Sequence, residues 1–216
     1  FLLIRQPRIS LAGFVRKFQI VSKWRYRSLK AILRFMRKIN EIFYSLQGEG
    51  YHTGTPALFI RFSGCNLKCS FCDTEHEEGD WMSDEEIMAK AAQCPAKMVV
   101  LTGGEPSLWI DDAFVDELHR IGKYVCIETN GTHSVPDATD WITCSPKGAP
   151  IALKRIDEVK VVYTGGEDVE PYLSLPARAH FLQPCSCKNT KEVVAYILKH
   201  PQWRLSQQTH KWIGIL

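Results

Sequence analysis

No stretch of the 216-residue sequence stays apolar for the roughly 20 positions needed to cross a bilayer, because charged side chains interrupt every candidate run. A membrane span is therefore excluded. There is no internal repeat, no low-complexity tract and no clear linker after residue 40. That excludes solenoids and strings of small modules, and a chain of this length with 45% apolar residues reads as one domain with a substantial core. Acidic residues are missing altogether from residues 1–38, which carry eleven Lys or Arg. The remainder holds sixteen basic against twenty-four acidic residues, so the overall charge of +3 conceals a body of −8. Such a body has the wrong sign for a nucleic-acid surface. The basic segment alone has the composition of a nucleic-acid- or membrane-binding tail or of an Arg-rich targeting segment. The chain starts with Phe1 and the recognisable pattern begins just after Met36, so residues 1–38 are read as an extension, non-native or disordered, and residues 39–216 as the working domain.

A clean secretory signal is also missing, and the chain is larger than the small secreted domains that disulfides staple, so its eight cysteines are read as reduced thiols in a cytoplasmic setting. Cys94, Cys126 and Cys144 lie in apolar patterns, where a thiol behaves as a small core hydrophobe. Cys185 and Cys187 form a C-x-C pair in a Pro-bounded segment, open to a metal or redox role or to incidental placement near a binding loop.

From Ala57 onward, short β-rich runs alternate with helical patterns, and each run ends in Gly, Pro, Ser or Asn. The runs predict strands over Ala57–Phe62, Met98–Thr102, Tyr124–Thr129, Trp141–Cys144, Glu158–Val162, His180–Gln183 and Arg204–Gln207. Helices are predicted over Ser83–Gln93, with acids in its first turn, Asp111–Ile121 and Thr190–His200. Seven strands with about three good helices are too few for a full eight-fold barrel, which takes about 250 residues. The fold class is therefore α/β, an incomplete TIM-type barrel of parallel strands with a reduced set of helices, and its functional groups should gather at the strands' carboxyl ends.

The strongest chemical signal is Gly64-Cys65-Asn66-Leu67-Lys68-Cys69-Ser70-Phe71-Cys72, a C-x₃-C-x₂-C run directly after a strand. Three thiolates on one loop can reach three corners of a [4Fe–4S] cubane, which ordinarily takes four cysteines, so one iron is left open to a ligand. The competing reading is zinc with His76 as fourth ligand, although structural zinc prefers paired C-x₂₋₄-C units and no second pair stands at a suitable spacing. Leu101-Thr102-Gly103-Gly104-Glu105-Pro106 follows the next apolar run, and its two glycines let backbone approach a ligand; alone it is equally a turn. Glu128-Thr129-Asn130-Gly131 and Ser145-Pro146-Lys147 end the two strands after that. A lone lysine is usually a solvated charge, but one fixed at a strand end can pair with a carboxylate.

Cysteine spacing, the aromatic Phe71 before the third cysteine and the Gly-Gly-Glu-Pro turn together resemble the radical S-adenosylmethionine (SAM) superfamily. The resemblance implies that the open iron chelates the amino and carboxylate groups of SAM, and that reduction releases a 5′-deoxyadenosyl radical. Ile42–Gly50, with Gln47-Gly48-Glu49-Gly50, Cys72-Asp73-Thr74 and Gln208-Thr209-His210-Lys211 extend it over residues 39–216 to the 7-carboxy-7-deazaguanine synthase family. That implies a lyase of queuosine and 7-deazapurine biosynthesis which contracts the ring of 6-carboxy-5,6,7,8-tetrahydropterin, releases ammonia and regenerates SAM.

Carried over to this sequence, Phe71, Cys72, Asp73, Gly103, Gly104, Glu105, Glu128, Asn130, Ser145, Pro146, Lys147, Gln183, Pro184, Cys185 and Ser186 fall where the family binds SAM. Cys185 and Ser186 depart from its more usual residues. Leu46, Gln47, Gly48, Arg61 and Thr102 fall where it binds the pterin, with Arg61 on the substrate carboxylate. The competing reading of Arg61 is the outward residue of an alternating strand, and without the resemblance Thr74 reads as a turn residue. The family uses the Thr74 position as a Mg²⁺ ligand, which suits an ion that completes its shell with water and substrate oxygens. The terminal carboxylate at Leu216 is expected to accept hydrogen bonds from the pterin's guanidine-like edge. The resemblance further implies a homodimer and an electron donor such as flavodoxin. Two other readings stand beside it: an activase that makes a glycyl radical on a partner, for which no second cluster motif is present, and a zinc- or nucleic-acid-binding module.

Overall fold

The computed structural model describes residues 36–215. One sheet of nine strands runs through it in the order β3-β1-β2-β4-β5-β6-β7-β8-β9. These are β1 (Met36–Leu46), β2 (Pro56–Phe62), β3 (Asp80–Ser83), β4 (Met98–Gly103), β5 (Tyr124–Thr129), β6 (Trp141–Cys144), β7 (Glu158–Tyr163), β8 (Ala179–Pro184) and β9 (Arg204–Leu205). From β2 to β9 every pairing is parallel, and β1 joins β2 and β3 antiparallel. The seven parallel strands are those expected from the sequence. The edges β3 and β9 are not paired to each other, so the barrel stays open. Three helices of nine or ten residues, α1 (Asp84–Gln93), α2 (Asp112–Arg120) and α3 (Thr190–Lys199), and the short α4 (Thr209–Ile213) accompany the sheet. Among the described residues no helix is long and apolar enough to cross a membrane.

The helix starts follow from local chemistry. Ser83 caps α1, accepting from the Glu86 amide while the Glu86 carboxylate accepts from the Ser83 amide, a reciprocal capping box. Asp111 caps α2 by accepting from the Phe114 amide. Both residues lie one position before the first helical turn, so the predicted starts at Ser83 and Asp111 are the caps themselves.

Successive strand residues face opposite sides of the sheet, and the two sides differ in chemistry. Leu58, Ile60 and Phe62 of β2, Val99 and Leu101 of β4 and Val125 and Ile127 of β5 pack against Ile87, Ala91, Phe114, Val115 and Leu118 of the helices. The alternate residues Ala57, Phe59, Val100, Cys126 and Trp141 form a second, smaller cluster on the other face. Further along the same face, towards the carboxyl ends, Arg61, Thr102, Glu128, Lys160 and Gln183 line a cavity. The inner face therefore changes from apolar to polar along the strands.

Two strands were not anticipated. β3 is only four residues long and opens on an acid. β1 begins at Met36, so Met36–Lys38, which the sequence reading placed in the basic extension, belong to the sheet. Residues 1–35 lie outside the described residues. Within β1, Arg37 is 4% exposed. Its guanidinium pairs bidentately with Asp84 at 2.8 and 2.9 Å, reaches Asp111 at 3.4 Å and stands 4.7 Å from the Phe114 ring centre. It thus joins the N-cap region of both helices to the antiparallel edge.

Arg37→Ala should lower unfolding stability by about 2–3 kcal/mol, because it leaves the largely buried Asp84 carboxylate without its bidentate partner. Arg120→Ala, which removes an exposed partner of Glu117, should leave it essentially unchanged. Urea midpoints at unchanged slope measure both, and equal effects would show that Arg37 is not the strut described.

Candidate active site

The cysteine loop leaves β2 at Phe62 and is closed on itself, since the Gly64 amide donates to the His76 carbonyl at 2.6 Å. Its start is pinned from outside by the Trp109 indole, which donates to the Ser63 carbonyl at 2.7 Å. Asn66 ties its middle to the end of β5: its amide donates to Thr132 Oγ1 at 2.8 Å, and its Oδ1 accepts from Asn130 at 2.9 Å. Within the loop the Cys72 amide donates to the Cys69 carbonyl at 3.2 Å, and the Leu67 amide donates to Cys65 Sγ at 3.4 Å. Burial pushes the Cys65 thiol up, so ligation there must displace the proton. All three thiols line a cavity of about 1130 Å³ at the strands' carboxyl ends.

No three His, Cys, Asp or Glu side chains among the described residues converge on a point that one ion could occupy. That arrangement disagrees with a tetrahedral zinc site completed by His76, whose Nδ1 is buried without a partner. A cubane is larger than one ion and takes three thiols at three of its corners, and all three open into this one cavity.

The glycine turn is packed against this loop. Gly103 has φ +123°, and a Cβ there would lie 2.2 Å from the Phe62 carbonyl oxygen; a Cβ on Gly104 would lie 1.9 Å from that of Gly64. The Gly104 amide donates to the Phe62 carbonyl at 3.0 Å and the Glu105 amide to the Gly64 carbonyl at 2.8 Å. Ligand access was the expected reason for the glycines. They do line the cavity, but contact with the chain's own backbone already excludes a side chain.

Glu105, expected to touch SAM, is fully buried and does not line the cavity. Its Oε1 accepts from the Ser107 amide at 3.0 Å and from Thr129 Oγ1 at 2.6 Å, and its Oε2 accepts from the Asn130 amide at 2.7 Å. It holds the ends of β4 and β5 together. Pro146 and Pro184 are also buried off the cavity. Phe71, Asp73, Gly103, Gly104, Asn130, Ser145, Lys147, Gln183, Cys185 and Ser186 all line it. Lys147 donates to Ser145 Oγ at 2.8 Å and stands 5.4 Å from the Phe71 ring centre, with burial pulling its ammonium below the ordinary lysine range. Ser186 and Cys187 have φ +47° and +62°, left-handed values that non-glycine residues seldom adopt. Asn189 braces that turn, accepting from the Cys185 amide at 2.9 Å and donating to the Tyr163 carbonyl at 2.9 Å.

Leu46, Gln47, Gly48, Arg61, Thr102 and Thr74 line the same cavity. Arg61 shares the Phe59 side of β2 and donates through Nε to Glu41 Oε1 at 2.7 Å. That pair is partly exposed and worth less than about 1 kcal/mol, so a ligand carboxylate can replace Glu41 at little cost. Leu216 lies outside the described residues.

Glu128, expected on the SAM side, is bound to residues expected on the pterin side. Its Oε1 accepts from Gln47 Nε2 and Lys160 Nζ, each at 3.1 Å, and its Oε2 accepts from Thr102 Oγ1 at 3.1 Å. Lys160 also donates to Glu49 Oε2 at 2.6 Å. Gln208 continues the chain of contacts from Glu49 Oε1 at 2.9 Å to Asp73 Oδ2 at 3.2 Å, where Lys211 joins at 2.7 Å. Burial pushes the Glu49 carboxyl up, but the Lys160 ammonium and the Gln208 amide more than offset it and hold it below the usual carboxylate range. Asp73 is lowered likewise, by Lys211 and Gln208 acting against burial.

Sequence reasoning assigned no role to Lys160, Glu49, Gln208 or Lys211. Three of them stand in quoted segments, and Lys160 carried a signal like that of Arg61, a charge inside an otherwise apolar strand that opens on Glu158.

Residues 59–180 match the model of the Radical SAM superfamily, a span that contains the cysteine loop, the glycine turn and the ends of β4 to β7. The chain therefore belongs to the radical SAM superfamily. It is 67% identical over 181 residues to the 7-carboxy-7-deazaguanine synthase of Bacteroides thetaiotaomicron, covering 83% of this chain and 99% of that protein. It is 42% identical to the enzyme of the same name from Bradyrhizobium diazoefficiens, covering 82% and 98%. The crystal structure of QueE from Escherichia coli superposes with a TM-score of 0.66 at 30% identity, covering 83% of this chain and 96% of that one. Within the superfamily, the chain belongs to the 7-carboxy-7-deazaguanine synthase family.

Gly104→Ala should cost about 1–3 kcal/mol by overpacking backbone on backbone, and the reconstituted protein should hold markedly less iron. Gly54→Ala, with no atom within 4 Å of its Cβ, should carry only the strain of its φ of +86° and keep its iron. Iron and sulfide analysis after reconstitution decides; full loading of Gly104→Ala would show that the contact does not shape the loop.

Proposed function

We propose that this chain is a radical SAM lyase that converts 6-carboxy-5,6,7,8-tetrahydropterin to 7-carboxy-7-deazaguanine with loss of ammonia, in queuosine and 7-deazapurine biosynthesis. The observation that carries the reading is convergence: three thiols, the glycine turn, and Gln47, Arg61 and Thr102 open into one cavity. When bound, a [4Fe–4S] cluster would supply the one-electron reductive chemistry on SAM from which the radical reaction starts.

Cys65, Cys69 and Cys72 would hold the cluster. Asn130, Ser145, Lys147 and Gln183 would hydrogen-bond SAM's polar groups, with Phe71, Asp73, Cys185 and Ser186 as further wall; all eight line the cavity. Arg61 would receive the substrate carboxylate by exchange with Glu41. Gln47, Thr102 and Glu128, already bonded to one another, would orient the ring. Apolar Phe43 and Phe59, stacked with ring centres 4.8 Å apart, wall the cavity against water.

The family resemblance supports three finer points: Mg²⁺ on Thr74, with water and substrate oxygens completing its shell, a homodimer, and a flavodoxin-type electron donor. Eight free cysteines accord with a reducing, cytoplasmic setting. An activase for a partner protein has no comparable support, since the relatives named above are synthases.

Anaerobic incubation of cluster-reconstituted protein with SAM, reductant, Mg²⁺ and 6-carboxytetrahydropterin should yield a product lighter by one ammonia on mass spectrometry. Cys69→Ala should abolish it. Cleavage of SAM without that product would keep the superfamily chemistry and overturn the substrate.

A further inference from the structure

Lys160 is the buried charge that the functional reading leaves without a task. It lies on β7 two residues after Glu158, so the two side chains share the cavity-facing side of the strand. The Lys160 side chain is 5% exposed. Its ammonium bridges Glu49, on the loop after β1, and Glu128, at the end of β5, at 2.6 and 3.1 Å. Both carboxylates line the cavity. Below them, Glu158 accepts from the Tyr51 amide at 3.1 Å and the Trp141 indole at 3.3 Å, and burial pushes its carboxyl up towards the neutral form. One ammonium thus serves two carboxylates, which leaves the group richer in acceptors than in cations. Such a site prefers a ligand edge rich in N–H donors. Lys160 is badly placed to hold a substrate carboxylate itself, because its ammonium is already committed to two acceptors and is closed off from solvent.

We infer that Lys160 is a positioning residue for the pterin: its ammonium fixes Glu49 and Glu128 as a pair of oriented acceptors for the guanidine-like edge of the ring. The inference rests on the function proposed above. Glu128 is held at both oxygens, by Gln47 and Lys160 on one and Thr102 on the other. Glu49 is held at both as well, by Lys160 and Gln208. Removing the ammonium leaves each carboxylate with neutral donors only. His210, itself half-buried and pulled towards its neutral form, and Lys147 are the other titratable nitrogens near the pair.

Lys160→Met and Lys160→Arg, each reconstituted with cluster, supply the test. Without the cation Glu49 keeps its proton to higher pH, so pterin affinity should fail earlier as pH drops. For Lys160→Met the KM for the pterin should rise about tenfold or more and the acid limb of kcat/KM should move up by about one pH unit or more. Lys160→Arg, which keeps the charge, should fall nearer the unsubstituted protein on both. Iron content and SAM binding should stay intact in each. An unchanged KM and acid limb in Lys160→Met would overturn the inference. So would a parallel loss of iron, SAM binding and pterin affinity, which marks a mere strut. Absence of product from the unsubstituted protein would overturn the functional reading and this inference with it, whereas normal product there and no shift in the variant overturns the inference alone.

Discussion

The contact on which the site depends is one of backbone against backbone, where the end of β4 lies on the start of the cysteine loop with no room for a Cβ at Gly104. Parallel pairing brings Phe62 opposite Gly103, so the last paired residues of β2 and β4 are already adjacent when both strands end. The amides of Gly104 and Glu105 then bond to the carbonyls of Phe62 and Gly64. The loop that carries three thiols is thereby anchored to a central strand rather than left to its own turns. Glu105 extends the anchorage to β5 by bonding Thr129 and the Asn130 amide, and Asn130 returns to the loop through Asn66. A closed ring of contacts results: loop, glycine turn, buried carboxylate, β5, loop. A buried carboxylate with three donors is stable only while all three remain, because each lost donor leaves an acceptor desolvated at a cost of about 1–3 kcal/mol. The ring therefore behaves as a unit.

An open barrel must still keep its interior from flooding, and here the inner face is graded to do so. Phe59, Val100, Cys126 and Trp141 fill one end with apolar bulk, and the polar residues begin one strand step later with Arg61, Thr102 and Glu128. Burial pushes the Cys126 thiol far up, so this cysteine stays a neutral space-filler. Lys160 and Glu158 are buried polar groups on this face, and they persist because partners come from β5, β6 and the loop after β1. Substitution of Gly50 would disturb the arrangement directly, since its Cβ would fall 2.0 Å from Glu158 Oε1.

Much of the architecture is legible because local signals agree with the global fold. Apolar runs ended by Gly, Pro or Ser are the seven parallel strands, and Ser83 and Asp111 are helix caps. β1 was hidden because its alternation is broken by Arg37, Lys38 and Glu41, and Arg37 reads as buried only once Asp84 and Asp111, 47 and 74 residues away, are known to meet it. The same limit governs the site. Cys65, Cys69 and Cys72 are local and legible as a motif. Glu105 belongs to a motif too, but membership does not tell which way a side chain points, and its carboxylate turns inward. Lys160 has a partner 111 residues distant, and nothing near it in sequence announces the pairing.

Ligand orientation follows from where these charges stand under the proposed function. Arg61 is on β2, and its register partner on β4 is Thr102, which bonds Glu128 on β5. Across adjacent strands the wall therefore passes from a cation through a hydroxyl to an anion. A pterin with a carboxylate at one end and N–H donors at the other matches that sequence in one direction only. Reversed, it would set its carboxylate against Glu128 and its donors against Arg61. Two like charges about 4 Å apart repel by about 4 kcal/mol at the effective dielectric of a partly buried site, a factor approaching a thousand. The loss of the Arg61 pairing adds to that. Because the carbon that loses hydrogen must face the cluster side of the cavity, the electrostatic gradient does more than bind: it selects the pose in which the carbon to be attacked is within reach.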